Sequence, residues 1–354
     1  MRWPIIHIVK RFGRVGGMES YVWHLVHGLL ERGLQVVVVC EQVCEPPAGG
    51  LRVIKVERSP AKPRWRSMMA FRERVDQRIR QVFSGQSVLI HSHERSLCHH
   101  VTTFHGPPID VPRKFRWFQA ISRRLAAWRR MERDELLRDN VQLILPVSNR
   151  ISVELRQRYP KINSKTLELA WPGVARVMTL PERQRSNRIT DTKFLFVGKE
   201  WKRKGLDIAV RVVAEFRKQR PNATLTIYGM NRTDVPGNIN LYPWIIFRGW
   251  SRNIPWSDYD VLLHPARNEP FGMVVSEARS NGIPVIMSSA VGAADLMVSD
   301  ARVVELQAGT LEWCEQIVLL VSQSDGQPEV KWSWDDLVDK HVEILYPMVR
   351  VSVL

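Results

Sequence analysis

The chain has 354 residues, 44% of them apolar and 25% charged, which is enough for two domains and excludes disorder of the whole. Its 52 Lys and Arg against 36 Asp and Glu give a formal charge of +16, and that excess calls for an anionic partner: nucleic acid, an anionic membrane surface or a phosphorylated substrate. Four cysteines, Cys40, Cys44, Cys98 and Cys314, are too few for a disulfide framework, so a reducing cytoplasm is expected, and no apolar run approaches the ~20 residues of a membrane span.

Short apolar runs alternate with longer amphipathic segments: a strand at 5–9, a helix at 21–30, a strand at 34–39, and another at 87–90 before a helix-like stretch. Such alternation predicts a parallel sheet covered on both faces. Between the first strand and helix lies Gly13-Arg14-Val15-Gly16-Gly17-Met18-Glu19-Ser20. Gly16 and Gly17 let the backbone approach a phosphate at a helix N-terminus, or simply make a tight turn. The spacing is not the G-x-G-x-x-G of dinucleotide-binding units.

The segment from Lys62 to Phe83 carries seven cations against Glu73 and Asp76, with Trp65, Phe71 and Phe83 interleaved. The segment from Arg113 to Arg133 carries eight more against Glu132, with Phe115, Trp117, Phe118 and Trp128. Basic aromatic helices suit an anionic bilayer surface, while a solvated basic face is the plainer reading; no nucleic-acid-binding motif accompanies them. His91, His93, His99 and His100 with Cys98 match no familiar zinc spacing, and no metal is expected. His105, in Phe104-His105-Gly106-Pro107, follows a strand at the edge where ligands bind in such sheets.

After Trp171-Pro172-Gly173-Val174 the polar stretch 181–188 reads as a linker, and a second alternating series starts at Phe194. Its strands are predicted at 194–198, 223–229, 245–249, 261–263 and 284–287. The first is followed by Gly198-Lys199-Glu200-Trp201-Lys202-Arg203-Lys204-Gly205, four cations in six positions, able to neutralise a departing diphosphate. Lys199 and Lys204 are the candidates; Lys202 and Arg203 read as a solvated turn. Asp258-Tyr259-Asp260 precedes its strand and so falls at the sheet edge away from the ligand, as a turn or helix end.

Val261-Leu262-Leu263 leads into His264-Pro265-Ala266-Arg267-Asn268-Glu269-Pro270-Phe271-Gly272-Met273-Val274-Val275-Ser276-Glu277. This reads as buried strand, loop, and a helix from Met273 whose first N–H groups favour an anion. Glu269 falls in the loop and Glu277 about one turn into the helix, where a phosphate with hydroxyls on either side meets both carboxylates. A nucleotide sugar has that shape. The tail from Trp332 to Met348 has helical spacing.

These residues together resemble the retaining GT-B glycosyltransferases of glycosyltransferase family 4, among them the bacterial enzymes of lipopolysaccharide-core and polysaccharide assembly. Glu269 to Glu277, trailed by Gly282-Ile283-Pro284-Val285, is similar to the family's E-x7-E signature. Val197-Gly198-Lys199 with Lys204-Gly205 resembles its donor-phosphate loop, Gly16-Gly17-Met18-Glu19 its N-terminal G-G-x-E turn, and Phe104-His105-Gly106 its cleft histidine. Val291-Gly292-Ala293-Ala294-Asp295 departs from the Gly-Gly-and-glutamate pattern common in the family.

The resemblance implies an α/β GT-B fold of two doubly wound Rossmann-like domains: an acceptor-side domain at 1–178, a nucleotide-sugar-binding domain at 190–330, and a C-terminal helix within 331–354 crossing back to the first. It implies that Glu277 holds the ribose and Glu269 the sugar hydroxyls, with Lys199, Lys204 and the backbone of Phe271, Gly272 and Met273 on the diphosphate and sugar. Gly16 and Gly17 approach the phosphate, and His105 lines the sugar; discrimination of the base and sugar rests near Tyr228, Arg248 and Trp250. His105, Glu269 and Lys204 are thus the catalytic candidates. No cofactor is implied beyond a nucleotide-sugar co-substrate, UDP-linked in preference to GDP-linked. The expected enzyme is a retaining hexosyltransferase, metal-independent and peripheral on the cytoplasmic membrane face, acting on a saccharide or glycolipid acceptor and not on nucleic acid. Its rival is a non-catalytic GT-B scaffold whose basic face binds nucleic acid or an assembly partner.

Overall fold

The apolar runs Ile5–Ile8, Val36–Cys40 and Val261–His264 are buried on both faces, as strands inside a parallel sheet are. The computed structural model describes residues 3–109, 122–174, 191–240, 242–251, 253–296, 301–323 and 332–354. Two compact units emerge: one of residues 1–173 and 334–354, the other of 174–333. The 181–188 linker, Phe115, Trp117 and Phe118 lie outside the described residues.

In the first unit, β1 (Ile5–Ile8), α1 (Gly17–Glu31), β3 (Val36–Cys40), β5 (Arg52–Lys55), α2 (Arg64–Val82), β6 (Ser87–Ser92), β7 (Val101–Phe104), α3 (Arg123–Leu137), β8 (Leu143–Pro146), α4 (Asn149–Arg158) and β9 (Thr166–Leu167) follow in turn. A small separate pair is made by β2 (Arg11–Phe12) and β4 (Gln42–Val43). The main sheet runs β5-β3-β1-β6-β7-β8-β9, all parallel, and β16 (Ser352–Val353) joins β6 antiparallel. The helix α10 (Trp334–Lys340) also belongs to this unit, tied to α1 where Arg32 Nε donates to Asp339 Oδ1 at 2.6 Å.

The second unit runs β10 (Lys193–Val197), α5 (Trp201–Lys204), α6 (Leu206–Arg217), β11 (Thr224–Tyr228), α7 (Gly237–Asn240), β12 (Ile245–Gly249), β13 (Val261–His264), α8 (Met273–Ser280), β14 (Val285–Ser288), β15 (Ala301–Val304) and α9 (Thr310–Gln323). Its sheet order is β12-β11-β10-β13-β14-β15, fully parallel. In both sheets the order turns back beside the first strand, between β1 and β6 and between β10 and β13. At that reversal the loops leaving the carboxyl ends diverge and open a crevice. The two Rossmann-like parallel sheets are the GT-B architecture that the sequence leads one to expect.

One expectation needs correction. Phe71, Val75 and Ile79 recur at i, i+4, i+8 and form, with Phe83, the buried stripe of α2. Turning Phe71 outward would forfeit roughly 2–3 kcal/mol of burial, so Phe71 and Phe83 are core residues and not surface aromatics. Arg72 is buried too, its Nη2 2.6 Å from Asp134 Oδ2 on α3. The exposed cations of α2 are Arg64, Arg66, Arg78 and Arg80, the last paired with Asp76.

Candidate functional site

In the second unit the crevice is built from the loops after β10 and β13. The first passes Gly198 into the single turn α5 and stops at Gly205, whose φ of 76° is left-handed. A Cβ there would lie inside contact distance of the Pro265 carbonyl oxygen, so only glycine lets the two loops meet. They are then laced together. Arg267 N donates to Arg203 O at 2.8 Å, and the Arg267 guanidinium forks onto both Asp207 oxygens at 2.7 Å. Partial burial acts upward on Asp207, but this fork holds its carboxyl below the usual range.

From the other side, Glu269 N donates to Ala290 O at 3.1 Å, Gly292 N to Glu269 O at 3.0 Å and Ala293 N to Phe271 O at 2.7 Å. The segment that departs from the family's Gly-Gly pattern is therefore a 3-10 turn (Gly292–Leu296) whose N–H groups fasten the Glu269 loop.

Glu269, only 8% exposed, is gripped from the β10 loop. Lys204 Nζ donates to Glu269 Oε2, and Arg203 Nη1 lies 3.2 Å from the same oxygen while also donating to Asn268 O at 2.8 Å. Arg203 is thus part of the site, against its expected reading as a solvated turn. Burial acts upward on the Glu269 carboxyl, but Lys204 and Arg203 outweigh it and hold it below the usual carboxylate range. His264, the last residue of β13, sits 3.9 Å from Glu269 Oε2. Burial pulls its pKa down to about 3, so at neutral pH it adds no charge. A lone apolar-flanked histidine in sequence carries no sign of this neighbour.

Gly272, at φ 99°, caps α8 without a side-chain cap, so the first N–H groups of the helix point out as anion donors. Phe271 is buried, Met273 half-buried, and Glu277 exposed one turn into the helix. Lys204, Glu269, Phe271, Gly272, Met273 and Glu277 therefore come together on two adjoining loops and one helix. Lys199 is exposed and lies over the Trp250 ring, 6.0 Å from its centroid. Arg248 and Trp250, both exposed, flank the end of β12, and Tyr259 donates its hydroxyl to buried Tyr228 at 3.2 Å. Asp260 accepts from Lys193 N at 2.8 Å, at the amino end of β10 and away from the crevice.

Gly16, Gly17 and His105 belong to the first unit. Gly16 is the N-cap of α1 in extended backbone, and a Cβ on it would lie 2.5 Å from Glu19 Oε2. Arg11 pairs with that folded-back carboxylate, its Nε at 3.0 Å. Glu19 thus brings a buried negative charge to the helix end where a phosphate contact was expected, with Gly17 exposed alongside. His105 follows β7, edge-on to Tyr21 at 4.9 Å, with Nε2 3.2 Å from His93 Nδ1. Burial pulls its pKa down to about 3, so it acts as a neutral imidazole. His99 is spent on Ser96 and the Glu135 carbonyl, and His100 accepts from Ile90 N.

Comparison with known proteins supports the family and the fold. Residues 15–175 match the family described as Glycosyltransferase Family 4, and residues 191–323 match Glycosyl transferases group 1. The chain is 25% identical to a D-inositol 3-phosphate glycosyltransferase of Paenarthrobacter aurescens over 82% of this chain and 80% of that protein. An uncharacterized glycosyltransferase of Methanocaldococcus jannaschii, MJ1607, is also 25% identical, over 42% of this chain and 43% of that protein. Among solved structures, WaaG, a glycosyltransferase involved in lipopolysaccharide biosynthesis, superposes with a TM-score of 0.69 at 14% identity, covering 96% of this chain and 95% of WaaG. Anabaena Alr3699/HepE in complex with UDP-glucose gives 0.67 at 15% identity over 97% and 99%. With one family pattern on each half and this fold throughout, the chain is a GT-B glycosyltransferase of the group 1, family 4-like kind.

Proposed function

We propose that this enzyme is a retaining transferase that takes a sugar from a nucleotide diphosphate, UDP-linked in preference to GDP-linked, and passes it to a lipid-linked or lipopolysaccharide-core-like acceptor at an anionic membrane surface. The observation that carries the reading is the Glu269 carboxylate held between Lys204 and Arg203 beside the uncapped head of α8. Cations and free N–H groups there suit a diphosphate, and an ionised carboxylate suits sugar hydroxyls. HepE has been seen with UDP-glucose, and WaaG serves lipopolysaccharide biosynthesis, which supports both halves of the proposal.

In this reading Glu269 accepts from sugar hydroxyls and Glu277 from the ribose. Lys199, Lys204 and the backbone from Phe271 to Met273 hold the diphosphate, and Arg248 and Trp250 flank the base. The bond from the anomeric carbon to the phosphate oxygen breaks, and the acceptor oxygen bonds to that carbon on the same face. The departing phosphate takes the acceptor's proton, and no metal is required. With His264 neutral, the developing negative charge is met by Lys204, Arg203 and the α8 N–H groups. The two glutamates are anchors and not an acid and base pair of the glycosidase kind. No described helix is long and apolar enough to cross a membrane, and the exposed arginines of α2 are the groups that meet anionic lipid.

The deciding experiment pairs thermal stabilisation by UDP and by GDP with slow hydrolysis of radiolabelled nucleotide sugars. UDP is expected to stabilise more, and Glu269→Ala to lower turnover by about 100-fold or more. Unaltered turnover in that variant overturns the site assignment. Flotation with anionic liposomes at low salt tests the membrane arm, which fails if the protein stays behind.

A further inference from the structure

Five of the ten histidines, His7, His91, His93, His105 and His341, converge in the first unit. The sheet explains three of them. His7 on β1 stands in register with His91 on the neighbouring parallel strand β6. A strand's period of two returns His93 to the face of His91. All three side chains are buried, with ring centroids 5.1 Å apart for His7 and His91, 5.4 Å for His7 and His93, and 4.3 Å for His91 and His93.

We infer that His7, His91 and His93 form a binding site for one divalent transition-metal ion of the zinc or cobalt class, structural in role and backed by His105. One ring nitrogen from each lies within 4.8 Å of the others. A tetrahedral ion with bonds of about 2.0–2.1 Å spaces its nitrogens roughly 3.3 Å apart. His7 Nδ1 and His93 Nε2 already stand 3.0 Å apart, so closure asks a shift of up to about 1.5 Å from the third ring.

One further observation favours an ion over a plain imidazole stack. Metal-bound histidines have the second ring nitrogen held by an outer partner, and two of the three rings have one here. His91 Nδ1 stands 2.9 Å from Tyr346 Oη, so its Nε2, paired with Thr103 Oγ1 at 2.7 Å, is the atom that must exchange that partner for the ion, and His93 Nδ1 faces His105 Nε2 at 3.2 Å. Imidazole donors without thiolate or carboxylate suit zinc, cobalt or nickel over calcium or magnesium. The ion would join β1 and β6 and, through Tyr346, the C-terminal segment.

The test uses the full chain, stripped with a chelator and titrated with Co2+. One equivalent is expected to give visible d–d bands that Zn2+ abolishes by displacement, and Zn2+ is expected to raise the melting temperature of the stripped protein. X-ray absorption at the zinc edge of the wild type should count three imidazole nitrogens near 2.0 Å. His93→Gln is expected to lose the bound equivalent, while His99→Gln, a buried histidine outside the cluster, keeps it. Absent cobalt bands and an unchanged melting temperature overturn the site, as does a zinc edge without three imidazoles. Retention of a full equivalent by His93→Gln also places the ion elsewhere and overturns it.

Discussion

Replacing Lys204 by Met removes the ammonium that lies against Glu269 Oε2 while keeping most of the side-chain volume. Breaking one partner out of a buried pair costs about 3–5 kcal/mol, because the remaining charge stays behind in low dielectric. Here the Lys204 and Glu269 side chains are 14% and 11% exposed, and Arg203 Nη1 still stands 3.2 Å away. That places the loss at the low end, about 3 kcal/mol, or roughly 6–12 °C in the melting of a unit this size. The pH dependence should also reverse. In the parent protein Glu269 has a depressed pKa, so its contribution is present above the unfolded value and is lost as pH falls. In Lys204→Met burial dominates, the pKa rises, and the variant should gain stability relative to the parent between pH 7 and pH 5 as Glu269 takes up a proton. Urea denaturation at the two pH values measures this. Adding Glu269→Gln should recover at least half of the loss. A single variant as stable as the parent, or a double variant no better than the single, would refute the argument that Lys204 offsets a buried charge.

His99 and His264 are fully buried, with pKa values pulled down to about 4 and 3, against ~6.5 when unfolded. The unfolded chain therefore binds more protons below pH 6.5, and stability should fall with pH at about 1.4 kcal/mol per unit for each histidine. Tryptophan fluorescence in an acid titration should show unfolding near pH 5, and a transition below pH 3 would contradict the burial argument. Gly205→Ala combines a left-handed φ with a methyl driven into the Pro265 carbonyl oxygen, so it should cost at least 2 kcal/mol or so and weaken nucleotide binding. Gly237→Ala, with nothing within 4 Å, should be close to neutral by the same denaturation assay.

What the sequence disclosed was local. The strand, loop and helix around Glu269 could be read because Val261 to Glu277 carries its own turn residues and periodicity within a single stretch. The alternation of strands and helices was readable for the same reason, and it carried the fold class. Arg203 was misread because its partner lies 66 positions away on a neighbouring strand's loop, and only the β10–β13 adjacency brings them together. The convergence of His7 with His91 depends on a parallel register across 84 positions, which spacing within one segment cannot express. The aromatics of α2 were a different failure. Phe71 already shared the i, i+4 stripe of Val75 and Ile79, and the cations around it drew attention from a period that was there to be read.

The N–H of Val174 donates to Trp332 O at 3.3 Å, pairing the two places where the chain enters and leaves the second unit. That unit is therefore an unbroken insertion in the first, and the two have different timetables during synthesis. Once Ser333 has emerged, the inserted unit has every strand and helix it needs. The first unit, although translated earlier, still awaits the partner of Gly28 and Arg32 on α1, the hydroxyl that braces His91, and the strand that pairs with Ser87 and Val88. The half made first on the ribosome is in this sense the half completed last, and its unfinished sheet is the surface that needs shelter in the interval.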